Sequence, residues 1–357
     1  MSFIRFGIWA PVHGPRAAAQ DPAEPYDASW EHNRATVLEA EALGYDSTLV
    51  AQHTANPRFA ERDQLEAWAS SAALAALTSR IEIIAAIKPA LYHPVVLAKM
   101  ALQIEEISRG RFALNLVNAW NRAEFERAGL PFLEHDERYA YGAEWLWIVE
   151  RLLRGETVDH RGRHFTVEGY RLAPAGRFRP RPRIYLGGES EPARDLAAAQ
   201  SDVWFINGQP LPAVATLIQD AKARPRRGAG LRFGLAAFVI ARETEAEAQA
   251  EHRRLVALAE LDRPDKAAQR AHADSKVVML QTMAKHAFVG TNGGTAAGLV
   301  GSYDQVAERI WAFHQAGVEL FMLQFQPLRA EMRRFAEEVF PRVGRAAPLA
   351  PLLSGAK

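Results

Sequence analysis

The sequence predicts an α/β fold, a (β/α)8 TIM barrel with insertions, on three observations. Short apolar runs alternate with helix-like stretches along most of the 357-residue chain, the pattern of parallel strands joined by right-handed crossovers. The runs number eight, which is the count that closes such a barrel. No run feeds a GxGxxG turn, which places a doubly wound open sheet second.

Residues 4–10 form the first expected strand, and the helical stretch 29–43 stops at Gly44, a normal C-terminal glycine. Residues 47–50 are the second strand, 64–78 the next helix, and 81–87 an apolar run bounded by Lys88-Pro89. Helix 95–107 closes at Arg109-Gly110 before the fourth strand, 112–117. The remaining strands are 183–187, 203–206, 233–241 and 320–325. Two segments break the alternation. One, 154–182, carries short β-like pieces and reads as a small insertion; the other, 258–297, runs into GTNGGTAAG and reads as a lid. The expectation is one domain over 1–345 followed by a C-terminal tail, 346–357.

Composition narrows the function. With 43 basic and 42 acidic residues, the formal charge is +1 and neither sign clusters, so no broad face suits nucleic acid. The basic stretch RFRPRPR, 177–183, reads as a solvated loop. Cysteine is absent, which removes disulfides, thiolate metal sites and cysteine nucleophiles. No HExxH or GxSxG pattern occurs, so neither a metal centre nor a serine hydrolase is expected. No apolar run approaches the ~18 residues of a membrane span, and the start of the chain is too short in apolar residues for a signal peptide. The expected location is cytoplasmic.

In a barrel, the residues following each strand share one face, and chemistry collects there. These are His13, Gln52-His53-Thr54, Lys88, Asn118 and Trp120, Gly187-Gly188-Glu189-Ser190, Asn207-Gly208-Gln209, Glu243 and Gln326. Lys88 stands out because a cation at a strand end has no packing role. Gly187-Gly188-Glu189-Ser190 lets backbone N–H groups approach a ligand at a helix N-terminus, although Ser190 is equally a good N-cap. Arg138 and Tyr139 could add charged and neutral donors, completing a cradle for a phosphorylated cofactor.

Five segments carry a family resemblance: SRGRFALNLVNAW (108–120), LEHDERYAYGAEWL (133–146), IYLGGESEPARDLAA (184–198), GLAAFVIARETEAEA (234–248) and LVGSYDQVAERI (299–310). Together they span nearly the whole chain, and it resembles the bacterial luciferase-like flavin-dependent monooxygenases, in the alkanesulfonate and dimethyl sulfone branch. The resemblance implies a barrel binding reduced FMN, with O2 as cosubstrate and a separate NAD(P)H-dependent flavin reductase as partner. It implies oxidation of a small organosulfur compound (sulfone, sulfinate or alkanesulfonate) through a flavin (hydro)peroxide. It assigns His53, Lys88, Asn115 and Trp120 to the chemistry. Gln52, His53, Asn115, Glu124, Arg138, Tyr139, Gly188 and Ser190 are assigned to the cofactor, and no residue to a metal.

Two departures bear on the substrate and the oxygen adduct. Where sulfonate-cleaving relatives carry an Arg and a His on the seventh strand, this chain has Ala236 and Phe238, so a sulfonate would lose a contact of about 1.5–3 kcal/mol. AAFVIARET instead resembles the dimethyl sulfone enzymes, which favours a neutral substrate. Relatives forming an N5 adduct carry Thr where this chain has Ala86, which favours a C4a adduct. Trp9, Tyr92, Trp204 and Phe325 are candidates for the substrate side or for packing. The leucines and prolines of the tail suggest docking on a neighbouring subunit, hence a homodimer or homotetramer. The alternatives are a deazaflavin-dependent oxidoreductase on the same fold and a non-catalytic flavin-binding protein.

Overall fold

A computed structural model of the chain describes residues 3–57, 59, 61–226, 228–262 and 289–345. The tail expected at 346–357, and most of the lid expected at 258–297, lie outside the described residues.

Eight parallel strands close a barrel: β1 (Arg5–Trp9), β2 (Ser47–Val50), β3 (Glu82–Ile87), β4 (Phe112–Val117), β7 (Arg183–Gly187), β8 (Val203–Ile206), β9 (Arg232–Phe238) and β12 (Val318–Gln324). Strand β12 pairs back onto β1, so no barrel edge is left open. All eight strands arise from the apolar runs read in the sequence, because strands buried on both faces must be continuously apolar. Two small sheets lie outside the barrel. The hairpin β5 (Val158–Arg161) and β6 (Thr166–Tyr170) is antiparallel. The other joins β10 (Ile240–Arg242) to β11 (Val300–Ser302). The seventh expected strand, 233–241, is therefore two: at Val239 the chain leaves the barrel, its N–H bonded to the Gln324 carbonyl, and continues as β10.

Helices wrap the outside, and their ends are read from side chains. In α1 (Trp30–Leu43), Ser29 Oγ accepts the His32 N–H at 3.2 Å, and Gly44 ends the helix at φ 90°. Helices α2 (Ala67–Leu77) and α3 (Pro94–Ser108) follow β2 and β3. Then come α4 (Arg122–Glu126), α5 (His135–Leu153), α6 (Glu191–Gln200), α7 (Leu211–Ala223) and α8 (Glu245–Leu261). Last are α9 (Tyr303–Gln315) and α10 (Leu328–Arg342). Reciprocal capping boxes, Thr244 with Glu247 and Ser302 with Gln305, start α8 and α9.

The barrel interior is filled by side chains such as Leu49, Ile84, Tyr185, Phe205 and Met322, with the Tyr185 and Phe205 rings stacked at 5.2 Å. Its floor is charged. Glu82, buried, takes hydrogen bonds from Arg5 (2.8 Å), Arg183 and the Tyr185 hydroxyl (2.8 Å). Arg5, Glu82 and Arg183 each begin a barrel strand, so this cluster marks the N-terminal face, opposite the expected site.

The RFRPRPR stretch is not a solvated loop. Arg177 pairs with Glu106, Arg179 with Glu105 (2.6 Å), Arg181 with Asp202 (2.6 Å) and Arg183 with Glu82. The alternating prolines keep the segment extended so that successive arginines reach different elements, and it works as a strap over the barrel floor.

Candidate active site

A cavity of about 250 Å³ opens where the barrel strands end. Its lower wall is apolar, from Trp9, Leu49, Ala86, Val117 and Phe205, while polar groups ring its mouth. That mixture suits a flat aromatic ligand with a charged end.

One side is built by β2, β3 and α4. The backbone N–H of Lys88 donates to Gln52 Oε1 at 2.8 Å, which fixes the end of β3 against that of β2. Lys88 Nζ donates to Glu124 Oε2 at 2.5 Å and stands 3.1 Å from His53 Nδ1, itself 3.2 Å from the same Glu124 oxygen. Glu124 Oε1 accepts the Thr54 N–H at 3.0 Å and its hydroxyl at 3.3 Å. The Trp120 ring meets the His53 ring edge-on, centroids 6.1 Å apart. Gln52, His53, Lys88 and Trp120 line the cavity; Glu124 stands behind them, its oxygens taken by protein donors.

Burial governs the titration of this cluster. Burial alone would raise Glu124, but its close contacts with His53 and the Lys88 charge win, and it falls to about 2. His53 falls to about 4 through burial and the Lys88 charge, so the ring is neutral near pH 7. Lys88 is also pulled below the ordinary lysine value by burial, against the opposing pull of Glu124. An ion pair alone would raise the lysine; the cost of burial is larger here. We take Lys88 as the ammonium, because a carboxylate held near 2 faces it at contact distance.

The β4 end supplies Asn115, Asn118, Ala119 and Trp120. Ala119 has φ 39°, a left-handed conformation that costs a residue with a Cβ energy and that clusters at functional sites. The turn it makes, with the Ala119 N–H on the Val117 carbonyl at 2.8 Å, brings Asn118 and Trp120 to the cavity.

The third side is the β7 turn with α5. Ser190 occupies the N-cap position of α6, yet its side chain makes no capping bond, and Oγ is buried without a partner among the described residues. The N-cap reading accounts for its position but not for its hydroxyl. Gly188 has φ 122°, and a Cβ there would come within 3.0 Å of the Tyr139 hydroxyl and 3.2 Å of Ala193, so only glycine leaves this space open. Arg138 is held by the carbonyls of Leu133 (2.7 Å) and Asn118 (3.3 Å), with its guanidinium over the Phe132 ring at 4.3 Å. Arg138, Tyr139, Gly188 and Ser190 thus line one part of the cavity. Glu189 sits among them. Its Oε1 accepts the Asn207 N–H at 2.7 Å and an N–H of Gln209 Nε2 at 3.0 Å, its Oε2 has no partner among the described residues, and burial lifts the carboxyl to about 7.

The roof comes from the GTNGGTAAG end of the segment read as a lid. Gln324 Oε1 accepts the Thr291 N–H at 2.8 Å, Gln324 Nε2 donates to the Thr291 carbonyl at 2.9 Å, and the Gly208 N–H donates to the Asn292 carbonyl at 2.8 Å. Gly293, at φ 84°, packs directly on the Gly208 backbone. Thr291 and Asn292 thereby become cavity wall.

Several strand-end residues are elsewhere. Gln326 turns to the Ala17 and Ala18 N–H groups, and Trp204 is core, its Nε1 on the Gly188 carbonyl at 2.7 Å. Phe325 is core as well, and Glu243 and Tyr92 do not reach the cavity. Arg16 was missed by sequence reasoning. It lines the cavity with its guanidinium 4.6 Å from the Trp9 ring, carried there by a loop that no spacing rule describes.

The residues present fit a phosphorylated flavin. Ser190 Oγ, buried and without a partner among the described residues, the space above Gly188 and the Arg138 charge answer to a phosphate; Asn115 Oδ1 and Asn118 Nδ2, likewise without partners among the described residues, answer to ring heteroatoms above an apolar floor. The comparisons with known proteins agree. The Luciferase-like monooxygenase family model matches residues 4–320. An FMNH(2)-dependent dimethylsulfone monooxygenase of Pseudomonas fluorescens (strain Pf0-1) is 32% identical over 353 residues, 95% of this chain and 94% of that protein. Among solved structures, the long-chain alkane monooxygenase LadA superposes with a TM-score of 0.80 at 18% identity, covering 96% of this chain and 91% of LadA. DmoA from Hyphomicrobium sulfonivorans gives 0.77 at 17% identity, covering 97% and 89%.

Proposed function

This chain belongs to the luciferase-like monooxygenase family, and from that premise we propose that it is an FMNH2- and O2-dependent monooxygenase acting on a small organosulfur compound, a dialkyl sulfone first among them. The observation that carries the reading is identity of 32% with a dimethylsulfone monooxygenase across 95% of the chain. The cavity chemistry agrees with it. That relative's FMNH(2) also favours FMN over a deazaflavin.

Reduced FMN, when bound, activates O2 and supplies two electrons. Ser190, the N-terminus of α6, Arg138 and Tyr139 would hold its phosphate, and Gly188 would leave room for it. Asn115 and Asn118 would orient the ring, and Gln52 keeps the β2 and β3 ends in register beneath it. Trp120, Ala86 and Val117 exclude water from the reacting face. His53 would present a nitrogen to the reacting oxygen, with Lys88 and Glu124 positioning its ring. Ala236 and Phe238 put no cation on the later half of β9, nearest the cavity, which supports a neutral substrate. Arg16 supplies positive charge on the β1 side, so sulfinates and sulfonates belong in the same screen.

A separate NAD(P)H-dependent flavin reductase as electron source, a cytoplasmic location and a homodimeric or homotetrameric state complete the proposal. The test combines the protein with FMN, NADH, a flavin reductase and air. For dimethyl sulfone, consumption of one O2 and one FMNH2 should yield methanesulfinate, formaldehyde and water in equal amounts. Peroxide alone, with dimethyl sulfone, methanesulfinate and methanesulfonate all recovered unchanged, would overturn the reading.

A further inference from the structure

The contacts among Lys88 Nζ, His53 Nδ1 and Glu124 Oε2 form a triangle of 2.5, 3.1 and 3.2 Å whose three sides cannot all be hydrogen bonds. If Nδ1 carried the imidazole proton, it would donate to Glu124 and present N–H to an ammonium, donor against donor. If Nδ1 is bare, the ammonium donates to both Nδ1 and Glu124, and one cation bridges two acceptors. The count of partners decides. Glu124 already accepts from Thr54 twice and from Lys88. The Lys88 ammonium, 4% exposed, has three protons and, among the described residues, only Glu124 Oε2 and His53 Nδ1 to receive them. Leaving a proton of a buried cation unbonded costs more than leaving one lone pair of a satisfied carboxylate unused.

We propose that Lys88 is a positioning residue that fixes the tautomer of His53, so that the neutral ring carries its proton on Nε2 and offers an N–H donor to the cavity. Nδ1 is turned to Lys88 and Glu124, His53 lines the cavity, and the hydrogen bonds of its ring among the described residues all use Nδ1, so Nε2 is the nitrogen left for a ligand. The ligand group it suits is an acceptor that gains negative charge during reaction, an oxygen receiving electrons from reduced flavin. The charged groups facing His53 are Lys88 at the end of β3, Glu124 on α4 and Arg16 on the loop after β1, and the two cations together oppose protonation of the ring. The chemical role rests on the flavin reading; the tautomer does not.

The test is ¹⁵N NMR of histidine-labelled protein without flavin. At pH 7 the His53 signals should show a protonated Nε2 and a bare Nδ1, unchanged down to about pH 5. A protonated Nδ1 in the native protein would overturn the proposal. In Lys88→Met the pattern should invert, Nδ1 donating to Glu124; an unchanged pattern there would also refute it. With reductase and substrate, Lys88→Met should lose roughly a hundredfold in kcat with KM little altered, and Lys88→Arg should restore part of it. The NMR arm uses no cofactor, so its failure leaves the monooxygenase reading standing, and absence of turnover in the native protein leaves the tautomer standing.

Discussion

Glu189 shows how one residue can couple the site to pH. Its carboxyl is lifted to about 7 by burial, which the Asn207 and Gln209 hydrogen bonds only partly offset, and its second oxygen has no partner among the described residues. Between the ordinary carboxylate value and about 7, the folded state binds a proton at this position that the unfolded chain does not. Stability from Glu189 is therefore full at low pH and is lost as pH rises through 7. Glu24, lifted to about 7 by burial, acts in the same direction. Glu124 and His53, both depressed, act oppositely: their contribution is present near neutrality and is lost as pH falls through about 4 and then 2. Glu189→Gln should remove one component of the first kind, so the loss of thermal stability between pH 5 and 8 should be shallower by an amount on the order of 3 kcal/mol. Differential scanning fluorimetry across that range measures it, and an unchanged slope would remove Glu189 from the account.

Helix α6 decides between two readings of its first residue. Were Ser190 an ordinary N-cap, replacing it by Ala would cost about 1 kcal/mol of stability and leave ligand binding alone. The observed side chain makes no capping bond, and its hydroxyl faces the cavity. Ser190→Ala should therefore leave the unfolding temperature nearly unchanged. Its FMN affinity should fall roughly tenfold to a hundredfold, the worth of one hydrogen bond to a charged group. Fluorescence titration of FMN alongside a melting curve reads both. Loss of stability with intact affinity would return Ser190 to a purely structural role.

Across the whole molecule, the two ends of the barrel carry different work. The floor cluster of Arg5, Glu82, Arg183 and Tyr185 joins β1, β3 and β7, with Glu82 drawn below the usual carboxylate range by its two arginines despite burial. Glu82→Ala would leave both guanidiniums short of their partner at the base of the barrel, an expected loss of about 3–5 kcal/mol. FMN affinity in the surviving folded fraction should stay as it is, because the cavity lies at the other end. Denaturant unfolding with a parallel FMN titration checks it. A variant as stable as the native chain would show that the cluster does not hold the barrel closed.

The sequence by itself determined the barrel and its direction. Strands buried on both faces must be apolar runs, so eight of them were legible, and the residues just beyond them marked the functional face. Gly188, Ser190 and Lys88 were legible for the same reason, since each lies within a few residues of a strand end, whereas Asn115, inside β4, was marked only by the family resemblance. What the tertiary structure decided depends on contacts distant in sequence. Lys88, His53 and Glu124 meet although 36 and 71 residues separate Glu124 from its two partners. Arg16 and Thr291 reach the cavity on loops, and strand β9 hands over to β10 where the Ile240 N–H finds the Leu299 carbonyl and the chain pairs with β11. Local propensity fixes elements, but a side chain's partners, and with them its charge, proton and purpose, are set only when those elements close on one another.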